Sequence, residues 1–380
     1  MRFFPEGADV PDGVARLQEE GQTIFVCGAG VSRTIGLPLF RGLVDRVYAE
    51  LGEDWNLHPA EREGMRDGGR LEGQYDRVLR CLERRLAASD LPRNQGMRER
   101  IRSAVRKVLT PPENTDFPDH LALLSLSRDP EGRTRLLTTN FDTMFERAWF
   151  GQHQTCIASH AGTAMPRPKV TGFAGVLHLH GRLADASLGL DETDLVLTSA
   201  EFGDAYLRSG WASRYVYDLR THTLVLVGYQ ADDPPMRYLL EALEADRERY
   251  PDLQQVYAFA SFTAGEEEVT RALWRAKGVE PILYTANSCD HSALYDTLRE
   301  WNRYADDPTA WRRERLQAIL SESAANVAED KIEECLSLLG HGDASQLLGE
   351  LSPGAEWLPV LAGRHVFDAG RAHPGAWITG

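Results

Sequence analysis

Four stretches of this chain place small or chemically active residues just past an apolar, strand-like run. Gly28-Ala29-Gly30, with Ser32 close behind, follows Gln22 to Cys27. Glycine lets a backbone approach an anion, and amides at the start of a following helix can bind one, so the turn suits a phosphate. Arg33 stands where the dehydrogenase fingerprint G-x-G-x-x-G needs its third glycine, so a plain tight turn is an equal reading. Asn140 and Asp142 follow Arg135 to Thr139. Both residue types favour turns and caps. Thr143 and Glu146, however, read as a T-x-x-E capping box, which makes Thr143 the expected cap and leaves Asn140 and Asp142 for chemistry. His178 and His180 alternate on one strand and share a face. His180, next to Gly181, is placed as a proton acceptor near neutral pH, whereas His178 reads as a packed core residue. Gly228 and Tyr229 follow Thr223 to Val227.

The elements that must position these residues alternate strand with helix. Strands are expected at Gln22 to Cys27, Arg135 to Thr139, Val176 to His180, Leu195 to Thr198, Thr223 to Val227, Val256 to Ala260 and Ile282 to Tyr284. Helices are expected from about Gly42 to Gly52, Met144 to Trp149, Glu201 to Ser209 and Pro235 to Asp246. The pattern is α/β: a Rossmann-like, mostly parallel sheet with helices on both faces. Arg, Glu, Leu and Ala dominate Arg62 to Leu109, which reads as an inserted helical layer within about 42–118. After Trp301 the strands stop. Residues 1–305 are expected to form the catalytic domain, and 306–380 a helical C-terminal extension with an irregular tail. In an open parallel sheet, ligands bind beyond the carboxyl ends of the strands. The four stretches therefore converge on one edge.

Composition narrows the function. The chain has 380 residues, 42% hydrophobic and 26% charged, enough to bury a sizeable core. Its net charge of −15 disfavours direct nucleic-acid binding. Arg98, Arg100, Arg102, Arg106 and Lys107 make a local basic stretch that reads as a solvated helix face. No secretory signal or membrane-length apolar run is read from the sequence. The five cysteines are scattered, with no C-x-x-C pair, which points to a reducing cytoplasm and to neither disulfides nor a zinc knuckle. Cys27 reads as a core residue, and Asp290-His291 as a cap for the helix that follows.

Taken in order, these motifs resemble the sirtuin family over roughly residues 15–305. G-A-G-V-S-R-T-I-G-L-P-L-F-R (Gly28 to Arg41) is similar to its opening glycine-rich motif. T-N-F-D (Thr139 to Asp142) is similar to its Asn-x-Asp motif, and L-H-G (Leu179 to Gly181) to its catalytic histidine motif. V-G-Y (Val227 to Tyr229) stands where the family contacts the NAD ribose, and C-D-H-S-A-L (Cys289 to Leu294), with Asn287 before it, resembles the adenosine-proximal segment. Two departures matter. The zinc module of two Cys-x-x-Cys pairs is missing, and Pro38-Leu39-Phe40-Arg41 carries leucine where the deacylases have aspartate. Both resemble a branch of sirtuin-like proteins in bacterial anti-phage defence that hydrolyse NAD, as does L-T-S-A-E-F (Leu197 to Phe202).

The resemblance implies NAD as substrate, no zinc, and an NAD glycohydrolase releasing nicotinamide and ADP-ribose. Asn140 would orient the nicotinamide ribose and a water, Asp142 would hold the carboxamide, and His180 would act on a ribose hydroxyl or assist the water. Gly28, Ala29, Gly30 and Ser32 would hold the phosphates, with Gly228 and Asn287 on the adenosine side. A protein deacylase or ADP-ribosyltransferase, and a non-catalytic NAD or ADP-ribose sensor, are the alternatives. An NAD hydrolase that is always on would starve its host, so a homo-oligomer or a regulatory protein partner is expected, with no membrane and no nucleic acid involved.

Overall fold

A computed structural model describes residues 1–4, 6–88, 94–168, 173–231, 234–250, 252–286, 290–324, 326–339, 344–351, 357 and 359–361. Among them, seven parallel strands form one sheet: β1 (Thr23–Cys27), β2 (Arg135–Thr138), β3 (Ser159–Ala161), β4 (Gly175–His178), β5 (Thr223–Val227), β6 (Val256–Phe262) and β7 (Glu280–Thr285). Their order across the sheet is β3-β4-β2-β1-β5-β6-β7. β1 pairs β2 through Phe25 and Leu136, and β5 through Phe25 and Val225. T-I-F-V-C and T-L-V-L-V are apolar on both faces, and every residue of β1 and β5 is buried. That is what helices on both sides of a parallel sheet demand. From β1 the chain works outward through β2, then crosses back to β5. The order reverses between β1 and β5, so the crevice expected of such a sheet opens at their carboxyl ends.

Two strands differ from expectation. β3 is short and polar, S-H-A, and carries no apolar run to betray it; an edge strand buries one side only and tolerates such residues. Leu195 to Thr198 is extended but outside the sheet. Its Val196 N–H donates to the His180 carbonyl, while Leu195 and Leu197 pack into the helical layer. The apolar run therefore marks burial against helices rather than strand pairing.

The inserted layer consists of helices Phe40–Leu51, Pro59–Met65, Tyr75–Ala88 and Asn94–Val108. Val44, Val47, Leu79, Leu82 and Val105 form its core, and Phe141, from the loop after β2, belongs to the same cluster. Its basic stretch is answered by acids of the same chain: Arg98 pairs with Glu83, Arg106 with Glu192 at 2.7 Å and Lys107 with Glu50 at 2.6 Å.

The chain divides into two compact units, Met1–Asn302 and Arg303–Gly380. The second contains helices Pro308–Leu320, Glu329–Leu338 and Ala344–Leu351 around Trp311, Leu316, Ile319, Cys335 and Trp357. Among the described residues, no helix is long and apolar enough to cross a membrane.

Candidate functional site

At the reversal point, β1 and β5 end in glycines pressed together. A Cβ on Gly28 would lie 2.6 Å from the Gly228 carbonyl oxygen, and one on Gly30 would lie 2.7 Å from the Gly228 Cα. Gly228 itself sits at φ +60°, which disfavours any side chain. The Gly28 N–H donates to the Val227 carbonyl and the Gly30 N–H to the Gly228 carbonyl, both at 2.9 Å. Tyr295 locks the Gly30 carbonyl with its hydroxyl at 2.6 Å. These glycines therefore let two backbones close up, and their own amides are committed to that closure. Ser32, one helical turn on, faces the loop after β2.

That loop carries Asn140, Phe141 and Asp142. The Phe141 ring is anchored in the helical layer, and burying it contributes about 1.5–3 kcal/mol. Asn140 and Asp142 meet at Ser32. The Asn140 amide Nδ2 donates to Ser32 Oγ at 3.1 Å, and Ser32 Oγ donates to Asp142 Oδ2 at 3.0 Å. His120 Nε2 lies 3.5 Å from the same hydroxyl. The Ser32 proton goes to the carboxylate, so His120 donates from Nε2 and its Nδ1 is left buried without a partner. Burial lowers the His120 pKa to about 3 and raises that of Asp142.

The expected capping box at Thr143 does not form. The Thr143 hydroxyl donates to Asp185 at 2.8 Å, and Asp142 Oδ1 takes the Met144 N–H at 3.2 Å, so Asp142 has a capping duty after all. Glu146 instead turns to His178 Nε2, 2.8 Å away, and also accepts from Ser159. The fully buried His178 and the half-buried Ser159 together claim the carboxylate that the cap would have used. Burial pushes the Glu146 carboxyl up, but His178 and Ser159 pull harder and hold it below the usual range. The T-x-x-E spacing does cap a helix elsewhere, where Glu201 accepts the Thr198 N–H at 2.8 Å.

β4 stops at His178, so the strand alternation does not carry through to His180. The His178 ring is fully buried, and its Nδ1 lies 2.9 Å from the Asn140 carbonyl. His180 stands in the turn beyond, where Gly181 at φ +87° reverses the chain. Its Nε2 is 2.7 Å from the Tyr206 hydroxyl, and its ring lies edge-on to Phe202. Burial lowers its pKa to about 3, so it is neutral at pH 7 and a weak base where it sits. Tyr206 lies on a π-helical turn, Asp204–Arg208, a conformation often found at functional sites.

The structure thus joins Ser32, Asn140 and Asp142 in one buried network, and ties His178 to it through the Asn140 carbonyl. His180 is held separately by Tyr206. Sequence reasoning missed His120, Glu146 and Tyr206. Only Glu146 left a signal, and its spacing pointed to a different role. Asn287 lies outside the described residues. Cys27 is fully buried with its thiol pushed up, as suits a core residue. Asp290 accepts the Ser292 N–H at 2.9 Å, the capping bond foreseen for it. Among the described residues, no group of three or more His, Cys, Asp or Glu is placed to hold a metal ion. Two small recesses lie at the amino ends of β5 and β6 and beside Cys156; neither is lined by Asn140, Asp142 or His180.

Comparison with known proteins bears on this arrangement. An uncharacterized protein of Sinorhizobium fredii, y4cA, is 40% identical over 368 residues, which is 95% of this chain and 29% of that protein. The chain thus spans under a third of the length of that relative. A solved structure from work on the mechanism and regulation of Sir2 enzymes aligns at 14% identity with a TM-score of 0.37, covering 78% of this chain and 100% of that one. A family model described as the SIR2-like domain matches residues 134–282, a stretch that includes Asn140, Asp142, Glu146, His178, His180, Tyr206 and Gly228. From β2 into β7, then, this chain is similar to the SIR2-like domain family.

Proposed function

We propose that this chain binds NAD at the carboxyl edge of β1, β2, β4 and β5 and hydrolyses the bond between nicotinamide and ribose, acting as an NAD-depleting effector in anti-phage defence. The observation that carries the reading is the buried Asn140–Ser32–Asp142 network beside the glycine junction, at the reversal point of the sheet. Residues 1–305 would be the catalytic unit and 306–380 its helical extension.

Nicotinamide leaves as a neutral group while the ribose gains oxocarbenium character. The site must fix the ribose, stabilise that charge and admit one water. Asn140 would present its amide to the ribose and the water, and Asp142 would hold the carboxamide. A neutral His180 would accept a hydrogen bond from a ribose hydroxyl. Its depressed basicity suits it to orienting that hydroxyl more than to removing its proton. Fixing these partners in place supplies much of the barrier reduction, so a strong nucleophile is not required. Gly28, Ala29, Gly30 and Gly228 would bring backbone close to the pyrophosphate and adenosine side. Because Asn140, Asp142 and His180 are each at most 6% exposed, the substrate enters only when side chains part.

The low basicity of the buried His180 favours a second reading: a sensor that binds NAD or ADP-ribose without consuming it and signals to a partner. Incubating purified protein with NAD separates the two. Nicotinamide and ADP-ribose should appear, and Asn140→Ala and His180→Ala should each slow their release sharply. Turnover that persists undiminished in both variants overturns the assignment, while tight binding without consumption supports the sensor.

A further inference from the structure

We infer that Glu146 is a positioning residue for Asn140, acting through the imidazole of His178. The inference rests on the proposed role of Asn140. A carbonyl oxygen only accepts, so the 2.9 Å contact between His178 Nδ1 and the Asn140 carbonyl requires a proton on Nδ1. Nε2 is then directed at Glu146 Oε1, 2.8 Å away, and both ring nitrogens are committed. The Asn140 side chain meanwhile donates to Ser32, so this residue is gripped at its carbonyl and at its amide.

Glu146 has no cap to make, and its side chain is only 3% exposed. A buried carboxylate is costly unless its partners hold it. It keeps one oxygen, Oε2, without a partner, so it is not placed for packing or for full hydrogen bonding. Its other oxygen, Oε1, meets the Nε2 of the one ring that grips Asn140 and also accepts from the Ser159 hydroxyl. Second-shell carboxylates orient histidines at metal centres in the same way. Here the oriented group is a backbone carbonyl.

The test is steady-state NAD hydrolysis by Glu146→Ala, with unfolding curves recorded alongside. We expect kcat to fall about 10- to 100-fold, the range typical when an orienting partner is removed. KM should stay within about 2-fold of the parent, since uniform binding is untouched. Glu146→Gln offers an oxygen to a protonated Nε2 and an amide N–H to a bare one, so it should recover most of the loss. Because Glu146 works through Asn140, adding Glu146→Ala to Asn140→Ala should cost nothing further. A full additional loss in the double variant, or no recovery with glutamine, overturns the inference. If Glu146→Ala does not fold, His178→Asn and His178→Gln replace it. Asparagine can mimic Nδ1 and glutamine Nε2, so asparagine should retain more kcat; equal or reversed losses overturn it.

The same variants separate this inference from the proposed function. If the parent protein consumes no NAD, the catalytic reading falls. The positioning claim is then judged by amide NMR shifts of residues 139–142. These should move in Glu146→Ala more than those of the helix at 75–88; unmoved shifts at 139–142 overturn it.

Discussion

Asn140 is held from both ends: its amide by Ser32 and its carbonyl by His178, with Phe141 anchored in the helical layer beside it. His180 is as well buried, yet its side chain has a single hydrogen bond described, to a tyrosine on a π-helical turn, and otherwise aromatic edges. On the proposed reading, one side of the site is built before any substrate arrives. The other is held by a contact that a substrate hydroxyl could replace. Preorganised groups stabilise charge without reorganising during reaction, so the Asn140 side should carry rate and the His180 side should carry admission.

The largest effect should come from the built side. Asn140→Ala is expected to lower kcat for NAD hydrolysis about 10²–10³-fold, as removal of one preorganised donor does. KM should change far less. A drop in kcat/KM that resides entirely in KM would reverse the comparison.

Next comes Ser32→Ala, read as stability. It strips the partner from the Asn140 amide and from Asp142 Oδ2 together, and each buried orphan costs about 1–3 kcal/mol. Denaturant unfolding should show a lower midpoint at unchanged slope. A loss under about 1 kcal/mol would mean that the network is wetter and looser than its geometry indicates.

Each side also holds one imidazole lowered to about 3 by burial, His120 by Ser32 and His180 by Tyr206. The unfolded chain takes up a proton near pH 6.5 that the folded chain refuses. Stability is therefore complete above pH 6.5 and is lost as the pH falls toward 3, about 1.4 kcal/mol per pH unit for each ring. Replacing either histidine with glutamine should flatten the curve between pH 6.5 and 4.5 by that amount. If only His120→Gln does so, the His180 ring already reaches water, and the two sides differ in burial as well as in anchoring.

The glycine junction, the sheet and the loop residues Asn140 and Asp142 were legible because their signals are local: a glycine after an apolar run, or an amide and a carboxylate after a strand. β3 and Leu195 to Leu197 were misread for the opposite reason. Pairing at an edge and burial against a remote helix leave no mark in a short window. His120 and Tyr206 come from helices far from the strands they serve, and nothing in F-P-D-H-L or D-A-Y-L-R announces a partner. Glu146 is the instructive case. Its spacing from Thr143 met the capping rule, and a buried histidine 32 residues later claimed its carboxylate.

The smallest effect, and the sharpest, belongs to Tyr206→Phe. The substitution keeps the ring that stacks on Phe202 at 6.0 Å and removes only the hydroxyl on His180. Losing the hydrogen bond to neutral His180 should cost the folded state about 0.5–1.5 kcal/mol. If the tyrosine hydroxyl occupies the place a ribose hydroxyl must take, its removal should make binding easier. KM should then fall about 5-fold, the equivalent of roughly 1 kcal/mol, while kcat stays within about 2-fold. A tenfold loss of kcat would instead make Tyr206 a participant in the reaction. The His180 side would then be built as firmly as the Asn140 side, held through one strong contact where Asn140 has several.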